Sequence, residues 1–356
     1  MSAPPSPPAD CWPFVSVIIP CRQEEAYIGR TLASLVANDY PQDRLEILVV
    51  DGRSSDRTLD IVRKFQEKYA FIQILDNPRQ ITPAALNLGI SQARGEIILR
   101  VDAHGVVPDT YISSLVTWLL RSGADNVGGR CINLPGRDTP RARAIALALS
   151  HPFGVGNAYF RIGTAGPRWV DTVPYGCFRR ELFNRVGWFD EDHVRSEDDE
   201  FNLRLKKKGG RLLLVPEVEI YYFTRDSLAK IWRMYYQYGY FKALVARKLG
   251  AVLKLRHLIP SLFICTMVIL WVSALFFPGI RLLGGLLGLT YLAADLYFAL
   301  RTVRRERAGT PAAFWLALAF PALHFSYGLG FLKGVVDFFV RRKKGVRDGA
   351  AVPLSR

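Results

Sequence analysis

The stretch EIILRVDAHGVVPD, residues 96–109, decides how this chain folds. An apolar run climbs to Val101, then meets Asp102, Ala103, His104 and Gly105. A short apolar run that stops at polar residues reads as a buried strand running out at a functional edge. The chain on its N-terminal side repeats the pattern. FVSVIIP (14–20), LEILVVDG (45–52) and FIQILDN (71–77) read as three further strands. Between them, 24–39, 55–70 and 82–94 carry helical spacing, and Ser55 or Asp56 stands where a cap is needed. Another helix is expected over 110–123. Buried strands alternating with helices predict an α/β fold with a Rossmann-like, mostly parallel sheet covered on both faces. In such sheets ligands bind at the carboxyl ends of the strands. Pro20, Asp51, Asp76 and Asp102 all fall there, and three acids at one edge point to a site.

Charge divides the chain in two. Residues 1–220 hold 27 Lys/Arg and 27 Asp/Glu, whereas residues 221–356 hold 20 against 5, so the net +15 lies entirely in the second part. That part is also the most apolar, a pairing that suits anionic lipid headgroups better than nucleic acid. Residues 1–13 have neither a basic nor an apolar region of a signal peptide and read as a short disordered lead. The five cysteines show no CxxC spacing, which argues against a zinc site or a disulfide framework. No GxGxxG follows the first strand, which speaks against a nicotinamide-dependent reductase.

The expected organisation is a catalytic domain over 14–226, amphipathic interfacial helices over 227–257, a membrane domain over 258–340 and a basic tail over 341–356. The membrane domain contains about three apolar segments: 258–280, 282–300 with Asp295, and 311–340 with Pro321, Lys333 and Asp337. Basic clusters at 301–307 and 341–347 both belong on the cytoplasmic side by the positive-inside rule, yet one span separates them. Either the third segment is a hairpin bent near Pro321, or the rule breaks at the C-terminus.

The blocks VSVIIPCRQEEAYIGRTLASL, ILVVDGRSSDRTLDIV, NLGISQARGEIILRVDAH and SEDDEFNLRLKKKG resemble, in order, the signature blocks of family 2 glycosyltransferases. The resemblance covers roughly residues 14–245 and implies an inverting, nucleotide-sugar-dependent enzyme with a GT-A domain and C-terminal transmembrane helices. RVDAH and the apolar tail are most similar to the membrane-bound glucosyltransferases of succinoglycan-type exopolysaccharide assembly.

The resemblance implies donor contacts from Pro20, Arg22, Glu24, Asp51, Ser54, Asn87 and Asp102. Asn87 and Arg94 could equally face solvent, and Asp56 could be only a helix cap. A diphosphate leaving group calls for a divalent cation, Mg²⁺ or Mn²⁺. Asp102 and His104 point the same way along an extended segment and are the candidate metal ligands, although the family's usual second acid is here a histidine. His104 could instead be a packing neighbour. Glu197 and Asp198 match the catalytic pair, with Asp198 the base, although Asp199 and Glu200 extend the acidic run and could shift that assignment by one place. Gly176 and Cys177 match the acceptor-side segment. Gln237, Tyr240 and Phe241 stand where processive relatives hold the diphosphate and the acceptor end, but an arginine of that motif is missing. Addition of a single sugar is therefore expected.

The predicted activity is transfer of glucose from a UDP-sugar to a polyprenyl-diphosphate-linked saccharide at the cytoplasmic membrane, with the catalytic domain in the cytosol. The alternatives are transfer to polyprenyl phosphate itself and a catalytically inactive sugar-nucleotide-binding subunit.

Overall fold

A computed structural model describes residues 12–250 and 255–343. Residues 1–11 of the expected disordered lead and most of the basic tail therefore lie outside the described residues, while Trp12 and Pro13 at the end of that lead both contact Tyr40. Contacts divide the chain into two compact units. The first runs through Ile132 and resumes over Gly163–Tyr222; the second comprises Asn133–Ile162 and everything from Phe223.

The first unit is built on one mixed sheet. Its parallel part is β3 (Ile72–Asp76), β2 (Leu45–Asp51), β1 (Val15–Cys21) and β4 (Ile97–Arg100), in that order. Every residue of β2 and β4 is buried, as expected for strands with helices on both faces. The crossovers are α1 (Ile28–Val36), α2 (Thr58–Lys68) and α3 (Thr82–Gln92). Beyond β4 the sheet continues through antiparallel strands that the sequence reading did not assign. These are β5 (Gly105–Val106), β6 (Asn126–Leu134), β7 (Arg168–Val170), β8 (Cys177–Arg179) and β9 (Leu212–Phe223). The helices α4 (Tyr111–Arg121), α8 (Leu182–Val186) and α9 (Glu197–Lys207) complete the unit.

Register puts the strand ends together. Pro20, Cys21 and Asp51 lie beside one another, and Asp51 pairs with Asp76. Pro20 sits beyond the last β1–β4 pair, Ile18 with Arg100, so its missing N–H removes no rung toward β4. At the opposite edge the buried Glu46 accepts from the Ser16 hydroxyl (2.5 Å), the Arg94 amide (2.7 Å) and the Arg94 guanidinium (2.8 Å). Arg94 thus ties α3's exit to the amino end of the sheet, away from the carboxyl-end cluster, while its side chain remains 64% exposed to solvent.

The second unit begins earlier than expected. Residues 133–162, read as part of the catalytic domain, contribute α5 (Pro140–Leu149), α6 (Pro152–Val155) and α7 (Tyr159–Ile162) to it. The reason is burial: Ala144, Ile145, Ala148 and Leu149 of α5 share a core with Ile231, Leu316 and Phe320. The later helices are α10 (Leu228–Leu249), α11 (Leu255–Ser273), α12 (Pro278–Glu306) and α13 (Thr310–Val335, continuing as one π-turn over Val336–Val340). The α13 helix passes through Pro321 unbroken, which overturns the hairpin reading of the third apolar segment.

Candidate active site

The site forms where strands of the first unit end. After β1, Gln23 adopts a left-handed backbone (φ 56°), as do Arg53 after β2 and Gln80 after β3. Such φ values are uncommon outside glycine and persist only where surrounding contacts impose them. Here Gln23 supplies those contacts. Its amide nitrogen donates to Ser55 Oγ (2.8 Å), its carbonyl accepts from the amide of Ser55 (2.7 Å), and its own N–H donates to Ser54 Oγ (2.8 Å). Ser54 in turn donates its hydroxyl (2.6 Å) and its N–H (2.9 Å) to the buried Asp51 carboxylate. Gln23, Asp51 and Ser54 therefore form one rigid rim. The helix α2 starts at Thr58, later than the 55–70 expected, with Arg57 rather than Ser55 or Asp56 in the cap position; Asp56 still accepts from the Thr58 N–H (3.0 Å). Asp76 spends its charge on Arg53 at the surface (3.2 Å).

Arg22 leaves β1 toward the same rim and donates weakly to the Gln80 carbonyl (3.5 Å), while its buried Nε makes no hydrogen bond among the described residues. Next, Glu24 Oε1 lies 3.2 Å from Nδ1 of His104. The His104 ring also stands edge-on to Tyr222, with centroids 5.2 Å apart.

The centre of the cluster is a residue that sequence reasoning passed over. Arg100, the last residue of β4, is only 6% exposed in its side chain and holds three carboxylates. Its Nη2 donates to Asp102 Oδ1 and to Glu197 Oε1, each at 2.9 Å, and its Nη1 donates to Asp198. The available signal was an arginine at the end of an otherwise apolar strand, since a buried guanidinium requires anionic partners. Asp102 is held below its ordinary range: burial pushes it up, but Arg100 and then His104 outweigh that. Asp198 shows the opposite balance. Burial raises it, Arg100 opposes, and Glu197, Asp102 and Asp199 add to the rise, leaving it well above an ordinary carboxylate.

Local structure aims α9 at this point. Ser196 turns the chain with a left-handed φ of 60°, and α9 then opens on four acids, which the helix dipole favours at its N-terminus. The four separate by partner. Glu200 is buried and bound by Arg204 through both oxygens (2.7 and 2.8 Å), so it is a structural pair one turn into the helix. Glu197 and Asp198 face Arg100.

Other expected site residues have different duties. The Asn87 amide donates to the Phe189 carbonyl (2.9 Å) and its oxygen accepts from the Phe189 N–H (2.9 Å), so it brackets the 187–191 segment. The Cys177 thiol is wholly buried between β4 and β6, and burial pushes its pKa far up, so it is a core residue. Gly176 matters for space: a Cβ there would meet Asn126 Oδ1 at 2.5 Å, and its carbonyl accepts from the Arg100 N–H (3.1 Å). In the second unit Gln237, Tyr240 and Phe241 lie on α10, with Tyr240 donating to Asp337 (3.1 Å). All three side chains of that helix are buried.

No cluster of three or more His, Cys, Asp or Glu side chains suited to a metal exists among the described residues. The donor set that is present still fits a hard divalent cation arriving with a diphosphate. Asp102 meets Arg100 through Oδ1, leaving Oδ2 on a side chain 22% exposed, and His104 is oriented by Glu24.

Parallel strands ending in a rigid acidic rim, with a helix delivering two more acids, define a GT-A-like glycosyltransferase domain. The chain belongs to glycosyl transferase family 2, whose model matches residues 16–187. It is 31% identical over 246 residues to the succinoglycan biosynthesis protein ExoA of Rhizobium meliloti, covering 68% of this chain and 73% of that protein. It is 28% identical over 331 residues to a Methanococcus voltae dolichyl N-acetyl-alpha-D-glucosaminyl phosphate 3-beta-D-2,3-diacetamido-2,3-dideoxy-beta-D-glucuronosyltransferase, covering 91% and 97%. Among solved structures, the mannosyltransferase PcManGT from Pyrobaculum calidifontis, in complex with GDP-Man and Mn²⁺, shares the fold. Its TM-score is 0.59 at 20% identity, over 93% of this chain and 90% of that one. Among the described residues, three helices are long and apolar enough to cross a membrane.

Proposed function

We propose that the protein is an inverting, membrane-anchored glycosyltransferase that adds one glucose from a UDP-sugar to a polyprenyl-diphosphate-linked saccharide. The observation that carries this reading is the Arg100 knot. It joins Asp102, at the donor edge, to the Glu197–Asp198 pair that begins α9. Single displacement needs both groups within reach of one anomeric carbon. The acceptor hydroxyl oxygen forms the new bond to that carbon as the bond to the diphosphate breaks, and the nucleoside diphosphate leaves with the electron pair. Asp198 takes the hydroxyl proton, and its raised pKa suits a carboxylate that must accept one. Glu197 and Arg100 hold it in line.

Asp51 and Ser54 would receive the uridine, and the unpartnered Nε of Arg22 would donate to the diphosphate. Asp102 and His104 would hold Mn²⁺ or Mg²⁺, with Glu24 keeping the proton on Nδ1 of His104; the cation supplies neutralisation of the leaving diphosphate. An acceptor already bearing a sugar is favoured over bare polyprenyl phosphate by the Methanococcus relative, whose name describes transfer to a lipid-linked sugar, over 91% of this chain. The test is product mass analysis with a panel of UDP-sugars and extracted lipid-linked saccharides. The Asp198→Asn variant is expected to fold and bind donor but to transfer no sugar. Full activity in that variant would remove Asp198 as the base.

A further inference from the structure

Three helices of the second unit could cross a bilayer by length and composition, but burial separates them. Only 11% of the apolar window of α11 and 17% of that of α12 are buried, against 44% for α13. The α11–α12 hairpin presents an open apolar face, with Leu275 and Phe276 each 73% exposed and Leu282 78%. Its base is tied to polar chain: the Arg256 guanidinium donates to Asn157 Oδ1 (2.7 Å), and Ala299 and Val303 of α12 lie in the core shared with α5.

The α13 helix has other company. Tyr236 lies against Gly330, Tyr240 against Asp337 and Arg247 against Lys343, so α10 runs alongside α13 in the same direction. The two backbones touch: a Cβ on Gly239 or on Gly330 would fall 2.0 Å from a carbonyl oxygen of the other helix. That partner carries Lys230, Arg233, Lys242, Arg247 and Lys248. A lysine or arginine at the centre of a membrane helix is strongly disfavoured, and five of them exclude α10 from the bilayer core. Near the midpoint of α13, Nε2 of His324 lies 2.7 Å from the Phe153 carbonyl of α6, a short helix flanked by Ser150, His151 and Asn157. Irregular polar backbone of this kind has no place at the middle of a bilayer. Toward its end, the buried Asp337 gathers Lys333, Arg341 (3.5 Å) and Lys343 (3.2 Å).

We infer that, among the described residues, the α11–α12 hairpin is the only element that enters the acyl chains, and that α13 stays outside the bilayer core with α10 and α5. The inference rests on the membrane-anchored reading and refines it. The partner of the exposed hairpin face is lipid hydrocarbon, and Arg301, Arg304, Arg305 and Arg307 at the end of α12 meet anionic headgroups. Because a hairpin enters and returns, the clusters at 301–307 and 341–347 lie on one side of the membrane, and both then obey the positive-inside rule.

The full-length chain is fused at its N-terminus or its C-terminus to green fluorescent protein, which fluoresces only on the cytosolic side, or to alkaline phosphatase, which is active only outside. Each fusion is also fractionated. The expected result is a membrane-pelleted protein whose two ends both fluoresce, with phosphatase inactive at both. A C-terminal phosphatase active beside a fluorescent N-terminus means an odd number of crossings and overturns the inference while keeping the membrane reading. Recovery in the soluble fraction overturns both.

Discussion

Replacing Arg100 by methionine keeps the bulk of the side chain and removes its charge. In the structure this guanidinium is 6% exposed and serves Asp102, Glu197 and Asp198 together. Deleting one partner of a buried ion pair costs ~3–5 kcal/mol. Asp102 and Asp198 keep 22% and 29% exposure, so water and protonation relieve part of that, and a loss of about 3 kcal/mol is expected. The larger consequence is geometric. Without the clamp Asp198 is no longer held beside Asp102, and on the proposed mechanism a misplacement of ~1 Å can cost about 10²-fold in rate. Arg100→Met should therefore lower kcat by about that factor with little change in donor Kd. Arg100→Lys should fall between, because an ammonium cannot bridge three carboxylates as a planar fork does. Arg100 also opposes the rise in the Asp198 pKa, so its removal should move the acidic limb of the pH–rate profile upward. The assay is nucleotide release from purified, detergent-solubilised enzyme, with calorimetric titration of the donor and a thermal melt as controls. Added guanidinium should restore part of the rate in the Arg100→Ala variant. A variant that melts normally and keeps kcat within about threefold of the parent would refute the positioning role, since the argument requires about 10²-fold.

Two further outcomes follow from individual contacts. His104→Ala should weaken Mn²⁺ binding about tenfold, read by electron paramagnetic resonance without donor; unchanged metal affinity and activity would make His104 a neighbour of the site. Glu46 is buried, which pushes its pKa up, but the Ser16 hydroxyl and both Arg94 donors outweigh that and hold it low. Its contribution is present above the unfolded-state pKa and is lost as pH falls through the lowered native value. Glu46→Ala should cost about 2 kcal/mol at neutral pH and less in acid; a loss equal at both pH values would contradict this account.

Much of the fold was readable because the parallel strands are buried on both faces and so appear as continuous apolar runs. The four N-terminal strands agree with the reading to within two residues at each end. Three of the five antiparallel strands are too short for any periodicity, with two residues in β5 and three each in β7 and β8, whereas β6 and β9, with nine and twelve, were long enough to read and were missed. The gathering of acids at the strand ends was likewise legible, whereas the bracket that Asn87 makes with Phe189 and the full burial of Cys177 were not, because sequence order says nothing of what a side chain faces. The pairing of Glu200 with Arg204, which sets it apart from its acidic neighbours, likewise appears only in the structure.

The sequence alone determined the alternation of strand and helix, the acids at the carboxyl edge and the basic, apolar second part, since period and composition are local properties. Tertiary structure decided what depends on distant partners. Arg100 gathers Glu197 and Asp198 across almost a hundred residues, α5 joins the C-terminal helices, and α13 packs beside α10. The physical reason is common to all three. A buried charge or an apolar face is stable only against its complement, and the complement lies far along the chain.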